Sequence, residues 1–214
     1  MKLENPDSAP YNPMINAGAI VVASCLASEI SFDTMLDTIR ALCMDPDINL
    51  DKKVYHSEMS HISRNRAIAY LLESKGYIEK NKDVENSLHF YVKMCSLSVT
   101  AESLAGLGLI LANDGIHPDT GKRLLSSQAV KIVKTLMFTC GMYDGSGEFA
   151  VRVGIPSKSG VGGGILSVVD GEMGIGIFGP ALDKKGNSVA GECVLEYMSH
   201  ELHLHMFDPQ RHTL

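Results

Sequence analysis

The sequence has no apolar run approaching the roughly 18 to 20 residues that a membrane-spanning helix needs. Its longest, Ala17 to Ala27, is broken by Gly18 and Ser24. It has no long run of lysine and arginine, and its net charge of −6 argues against the basic face of a nucleic-acid binder. The opening residues, Met1-Lys2-Leu3-Glu4-Asn5-Pro6, hold neither an apolar signal-peptide core nor an Arg-rich transit pattern, so a cytoplasmic protein is the expectation. The five cysteines (Cys25, Cys43, Cys95, Cys140 and Cys193) form no C-x-x-C or zinc-type spacing, and their mostly apolar contexts predict reduced thiols in the core. A zinc site at His200, His203, His205 and His212 is a weaker alternative, because His203 and His205 diverge on a helix and histidines near a C-terminal helix are commonly surface groups. What is present is ordinary globular usage: 214 residues, 45% hydrophobic and 21% charged, enough for one sizeable core or one large domain with a subdomain.

Residues 1–15, with Pro6, Pro10, Asn12 and Pro13, predict an extended entry. A small-residue helix is expected from about Ala17 to Ser28. Ser31 then caps a helix carrying Phe32, Met35, Leu36, Ile39 and Leu42 at helical spacing to Met44. One helix is expected from Ser57 to Lys75, stopped by Gly76. Residues 84–98 have mixed helical character, Thr100 caps a helix to Ala112, and Ser126 or Ser127 caps another to about Thr139. The pattern then changes. Phe149, Val151, Val153 and Ile155 alternate as in a strand, and Gly164–Val169 and Met173–Phe178 flank the hairpin signal Asp170-Gly171. A last amphipathic helix, from Asn187 to about His205, is expected to bury Val189, Val194, Leu195, Met198 and Leu202. The fold class is therefore α+β, with a mainly helical part at 1–139 and a strand group with a closing helix at 140–214. So small a sheet leaves an open edge, which suggests that strand partners lie elsewhere.

Four stretches could carry chemistry. In Gly154-Ile155-Pro156-Ser157-Lys158-Ser159-Gly160-Val161, glycines fill four of the five places after Ser159. Such a segment is either a plain turn or one whose exposed amides, Val161 among them, donate to a developing oxyanion. Tyr143, in the glycine-punctuated loop Cys140–Gly147, either packs its ring under the loop or relays a proton. Asn16 is either an N-cap or an amide aimed at a carboxylate. Glu58 and Asn65 stand seven apart, on one face of a continuous helix, and suit an α-ammonium and an α-carboxylate or simply a polar surface.

Taken in order, N-P-M-I-N-A-G-A-I at 12–20, S-E at 57–58 with R-N at 64–65, F-Y at 90–91, C-G-M-Y-D at 140–144 and K-S-G-V-G-G-G-I at 158–165 resemble the glutaminase family over essentially the whole chain. These are the glutamine amidohydrolases of the serine β-lactamase-like fold. The resemblance implies a helical subdomain beside an antiparallel sheet flanked by helices, and hydrolysis of L-glutamine to L-glutamate and ammonia through a serine acyl-enzyme without cofactor or metal. It implies that Asn16, Glu58, Asn65 and Tyr91 surround the amino-acid end of the substrate. Tyr143 would bind beside the reacting amide and help move protons, the Val161 amide would be one half of the oxyanion hole, and Lys158 would add positive charge near the nucleophile. A homodimer or homotetramer is also implied.

One departure stands out. The family nucleophile is the serine of a Ser-x-x-Lys motif, and no serine among these 214 residues has a lysine three places later. The expectation is a domain that is incomplete at its N-terminal side and, as this chain alone, inactive. The alternatives are a non-catalytic glutamine- or glutamate-binding remnant or subunit, and a different enzyme of the same fold related to β-lactamases and penicillin-binding proteins.

Overall fold

A computed structural model of the chain describes residues 9–210. The start of the expected extended entry, Pro6 included, and His212 of the zinc alternative lie outside these residues. Two compact units divide the chain: Met1–Ile39 with Asp47–Ser98, and Arg40–Pro46 with Val99–Leu214.

The first unit is almost wholly helical: α1 (Asn16–Ala27), most of α2 (Phe32–Cys43), α3 (Lys52–Ser60), α4 (Ser63–Ser74) and α5 (Val84–Cys95). Two short strands, β1 (Asn49–Leu50) and β2 (Leu97–Ser98), pair antiparallel. Caps set the boundaries. Thr34 N–H donates to Ser31 Oγ at 3.1 Å before α2, and the Asp51 carboxylate accepts from Lys53 and Val54 at the start of α3. The helices meet on one apolar cluster that contains Ile20 of α1, Ile62, Ala69 and Leu72 around α4, and Leu88 and Val92 of α5. Across α4 and α5, Arg66 Nε donates to Glu85 Oε1 at 2.8 Å.

That bond is the main reason the Glu85 carboxyl sits below its ordinary pKa. Its stabilisation is complete above about pH 4.3, the usual glutamate value, and fades as pH falls through the depressed folded value. Acid unfolding followed by circular dichroism should therefore show a shallower low-pH limb for Glu85→Gln, by a small margin because both side chains remain partly in solvent.

The second unit holds α6 (Ala101–Ala112), α7 (Ser127–Cys140), α8 (Ser146–Arg152), α9 (Val189–Glu201) and strands β3 (Ser157–Ser159), β4 (Gly164–Val169) and β5 (Met173–Phe178). Thr100 and Ser103 form a reciprocal cap at the start of α6, and Ser126 caps α7. The sheet order is β3-β4-β5, antiparallel throughout. One face of β5 lies on α6. A methyl group placed on Gly174 would stand 2.1 Å from Ala105 O, and one on Gly176 would stand 1.8 Å from Ala101 O. On the other side a core of Met142, Phe149, Val153, Ile165, Ile175 and Leu195 joins α8 and α9 to the strands.

Several expectations are corrected here. Residues 149–155 do not form a strand. Phe149 and Val153 are both buried and four apart, the spacing of one helix face, while Val151 between them is 80% exposed; the first strand of the sheet is instead β3, inside the Lys-Ser-Gly run. The single helix from Ser57 to Lys75 is two, α3 and α4. The Ser60 hydroxyl donates to Ser57 O at 2.7 Å and His61 Nδ1 lies 2.9 Å from the same carbonyl, so side chains compete for a helical acceptor just where Ile62 turns into the core. On α9 the buried positions are Gly191, Leu195 and Ser199, whereas Val189, Val194 and Leu202 are exposed. Of the cysteines only Cys43 is buried, its thiol pushed up to about 11 chiefly by burial and then by Asp45; Cys25, Cys95 and Cys193 are exposed.

Candidate active site

Among the residues of the first unit, Asn16 opens α1, but the cap position is Ile15 and no side chain caps the helix. The Asn16 side chain is therefore not an N-cap. Its Nδ2 donates to Asn65 Oδ1 at 3.1 Å, joining two amides 49 residues apart. The chain reaches this geometry through a tight entry. Met14 N–H donates to Asn12 Oδ1 at 2.8 Å, and a methyl group on Gly18 would stand 1.9 Å from Asn12 O, so only glycine lets the segment press so closely on α1.

Glu58 is on α3 and Asn65 on α4, so the seven-residue spacing does not place them on one helix face. What relates them is the core beneath. Ala17 next to Asn16, Met59 next to Glu58, and Tyr91 itself all pack on the cluster that holds Ile62. Glu58 and Asn16 are exposed, and Asn65 and Tyr91 half-buried. Asn16 and Asn65 stand side by side as two amides, and Glu58 and Tyr91 offer a carboxylate and a phenol, a donor and acceptor set suited to a zwitterion.

In the second unit, Tyr143 sits in a 3-10 turn, Tyr143–Gly145, with a left-handed φ of 52°. Such a conformation costs a side-chain-bearing residue roughly 1–2 kcal/mol. The turn is pinned from both sides: Met142 N–H donates to Ser146 Oγ at 3.0 Å, Ser146 Oγ donates to Tyr143 O at 2.8 Å, and Asn187 Nδ2 donates to Met142 O at 3.2 Å. Strain held this firmly is typical of functional positions.

Lys158 lies in β3 with its Nζ 4.7 Å from the centre of the Tyr143 ring and donating to Ser159 O. A methyl group on Gly186 would meet the Tyr143 ring and Val161 Cγ1, each at 3.6 Å, so Tyr143 and Val161 flank one point. Val161 is 72% exposed, and its N–H has no hydrogen-bond partner among the described residues. It tops the turn closed by Gly160 N–H to Gly164 O and Gly163 N–H to Gly160 O, each 2.9 Å. Gly163 has φ 95°, a position glycine alone takes without strain. Tyr143, Lys158 and Val161 are thus brought together.

No group of three His, Cys, Asp or Glu is placed to hold a metal among the described residues; His203 Nδ1 pairs with Asp208 at 3.1 Å and His200 with Glu201 at 3.0 Å. A cavity of about 750 Å³ beside α9, lined by Arg152, Glu196 and Tyr197 and by His200, His203 and His205 of the zinc alternative, includes none of the candidate substrate-binding or catalytic residues. Sequence reasoning missed Ser146, Asn187 and Gly186, which set the geometry around Tyr143. Of these only Ser146, two residues from the Tyr-Asp pair, gave a local signal.

The helical layers beside an antiparallel sheet, with a Lys-Ser-Gly edge strand facing a tyrosine turn, make this a β-lactamase-like α+β fold. Superposition on a crystal structure of a Bacillus subtilis probable glutaminase gives a TM-score of 0.87 at 40% identity, covering 92% of this chain and 67% of that one. A B. subtilis glutaminase solved as a covalent complex with 5-oxo-L-norleucine gives 0.87 at 39% identity, over 95% and 72%. The glutaminase family model matches residues 1–207, and the chain belongs to the glutaminase family. It is 52% identical to the glutaminase of Clostridioides difficile over 211 residues, 97% of this chain and 68% of that one. To the glutaminase of Clostridium tetani it is 51% identical over 201 residues, 92% and 65%. The chain thus spans about two thirds of the length of these relatives.

Proposed function

We propose that this chain supplies the substrate-binding and oxyanion parts of a glutaminase that hydrolyses L-glutamine to L-glutamate and ammonia. Asn16, Glu58, Asn65 and Tyr91 hold the ammonium and carboxylate of the amino acid. The Val161 amide donates to the oxygen of the side-chain amide as it becomes an oxyanion, Tyr143 hands protons at the same carbon, and Lys158 adds positive charge beside Tyr143. The acyl acceptor is the serine of a Ser-x-x-Lys motif that these 214 residues do not contain. The reading includes a cytoplasmic homo-oligomer, dimer or tetramer, as in the family it resembles.

The observation that carries the reading is the Asn16–Asn65 hydrogen bond, which joins two distant family-motif amides on the cluster that also holds Tyr91. Calorimetry should detect L-glutamate binding to the isolated chain. Asn65→Ala should weaken it roughly ten- to hundredfold, the loss of one hydrogen bond to a charged group. Unchanged affinity in that variant would remove Asn65 from the site.

The missing serine motif favours a second reading, a binding protein without catalysis. The two agree on the chain alone and separate only when it is completed with a polypeptide carrying the serine motif, where the first expects ammonia release and the second none. The chain alone is expected to release no ammonia beyond the weak residual catalysis left by binding and oxyanion donors. Normal turnover from the 214 residues would sink both the missing-nucleophile reading and the non-catalytic one.

A further inference from the structure

Glu58 is carried by α3, and the chain fixes that helix at both ends. Before it, Asp51 N–H donates to Ser96 O at 2.9 Å, and after it Ile62 enters the core. These anchors do not set the roll of α3 about its own axis. Two half-buried side chains one turn apart, Tyr55 and Met59, face the core and limit that roll. Met59 makes apolar contact, which is non-directional and lets a helix slip. Tyr55 does more. Its hydroxyl lies 2.6 Å from His89 Nδ1 on α5, 34 residues along the chain, with the donor set by the His89 tautomer. Among the described residues this is the one side-chain hydrogen bond from α3 to another helix.

A hydrogen bond tolerates little misalignment, so this one sets the roll. The consequence falls on Glu58, three residues past Tyr55 and one turn on along the same flank of the helix. Side chains reach roughly 5–6 Å from a helix axis, so a roll of about 15° would carry the Glu58 carboxylate roughly 1.5 Å. His89 stands two residues before Tyr91 on α5. The bond therefore ties the helix that bears the carboxylate to the helix that bears the phenol.

We propose that Tyr55 and His89 are positioning residues, which hold the Glu58 carboxylate in place for the α-ammonium group of the amino acid. A carboxylate pairs well with an ammonium only at close hydrogen-bonding distance, so a small displacement weakens the pair. The proposal deepens the glutamine-binding reading above and rests on it.

The test is calorimetry on the 214-residue chain with two ligands, L-glutamate and glutarate, the same diacid without its ammonium group. Melting followed by circular dichroism shows that each variant folds. Tyr55→Phe keeps the ring in the core and removes the hydroxyl. It is expected to weaken L-glutamate roughly tenfold, as when a hydrogen bond to a charged group is partly lost, and to leave glutarate within about twofold. His89→Leu, which keeps the branched shape without a polar atom, should do the same, and the double variant should add nothing further. His89→Asn should restore affinity, because its Oδ1 stands as many bonds from the main chain as Nδ1 does and can accept from Tyr55. Tyr70→Phe deletes another phenol hydrogen bond between helices, Tyr70 to Glu85 at 3.3 Å, and should leave both affinities unchanged. Equal weakening of both ligands would make the pair general support for the fold and overturn the proposal. So would an unchanged affinity in Tyr55→Phe, or a His89→Asn no better than His89→Leu. In those cases a parent chain that binds L-glutamate leaves the glutamine-binding reading standing. A parent that binds none sinks that reading and takes this proposal with it.

Discussion

Gly176→Ala is expected to cost roughly 3 kcal/mol, at the upper end of ordinary overpacking. At about 2–4 °C per kcal/mol for a chain of this size, the melting temperature should fall by roughly 6–12 °C. The new methyl group would stand 1.8 Å from Ala101 O, 2.7 Å from Ala105 N and 2.9 Å from Ala101 C. All three are backbone atoms of α6. No rotamer change relieves the overlap, so the helix must lift from β5. Gly176 is not at a positive φ, so the loss isolates the close approach of helix to strand from any backbone preference. Gly147→Ala is the counterpart. Nothing lies within 4 Å of the added methyl group, the residue is helical, and a gain of about 0.5 kcal/mol is expected. Differential scanning calorimetry of the two variants checks both. A Gly176→Ala chain that melts within 2 °C of the parent by that measurement would mean that α6 is not seated on β5 as described (~1 kcal/mol resolution).

That contact also marks where the sequence stops being legible. The caps Ser31, Thr100 and Ser126 were readable because each satisfies backbone donors within three residues of itself. The hairpin at Asp170-Gly171 was readable because turn chemistry is local. The strand at Met173–Phe178 is legible as the return of that hairpin, but the reason for Gly174 and Gly176 within it is a helix some 70 residues earlier in the chain. The break between α3 and α4 has no glycine or proline to announce it; it rests on Ser60 and His61 competing for Ser57 O and on the burial of Ile62. The false strand at 149–155 came from an alternation that a short helix also produces when its buried positions are four apart. For the candidate residues the division is similar. Spacing did not link Asn16 to Asn65; the motifs named them through family likeness, and the fold supplies the 3.1 Å bond. The left-handed Tyr143 had no signal, because tyrosine is among the residues least expected there.

Tyr143→Phe is the variant that separates chemistry from binding. In a mixture of this chain with the remaining third of the Clostridioides difficile glutaminase, which on the proposed reading brings the serine, kcat is expected to fall roughly 10²- to 10⁴-fold, the usual contribution of a positioned proton donor or acceptor. Affinity for L-glutamate should change far less, because Asn16, Glu58, Asn65 and Tyr91 are untouched. Phenylalanine keeps the ring that Lys158 Nζ approaches at 4.7 Å and leaves the Ser146 and Asn187 bonds to the turn in place, so the φ of 52° and the neighbouring Val161 amide are preserved. Only the phenol oxygen is lost. A tyrosine that merely packs under its loop would lose little on this change, and kcat within threefold of the parent would leave it that role alone. On the proposed role the strained turn has a purpose, because it keeps the Tyr143 ring beneath Lys158 Nζ and beside Val161, and a relaxed φ at that residue would swing the ring away from both.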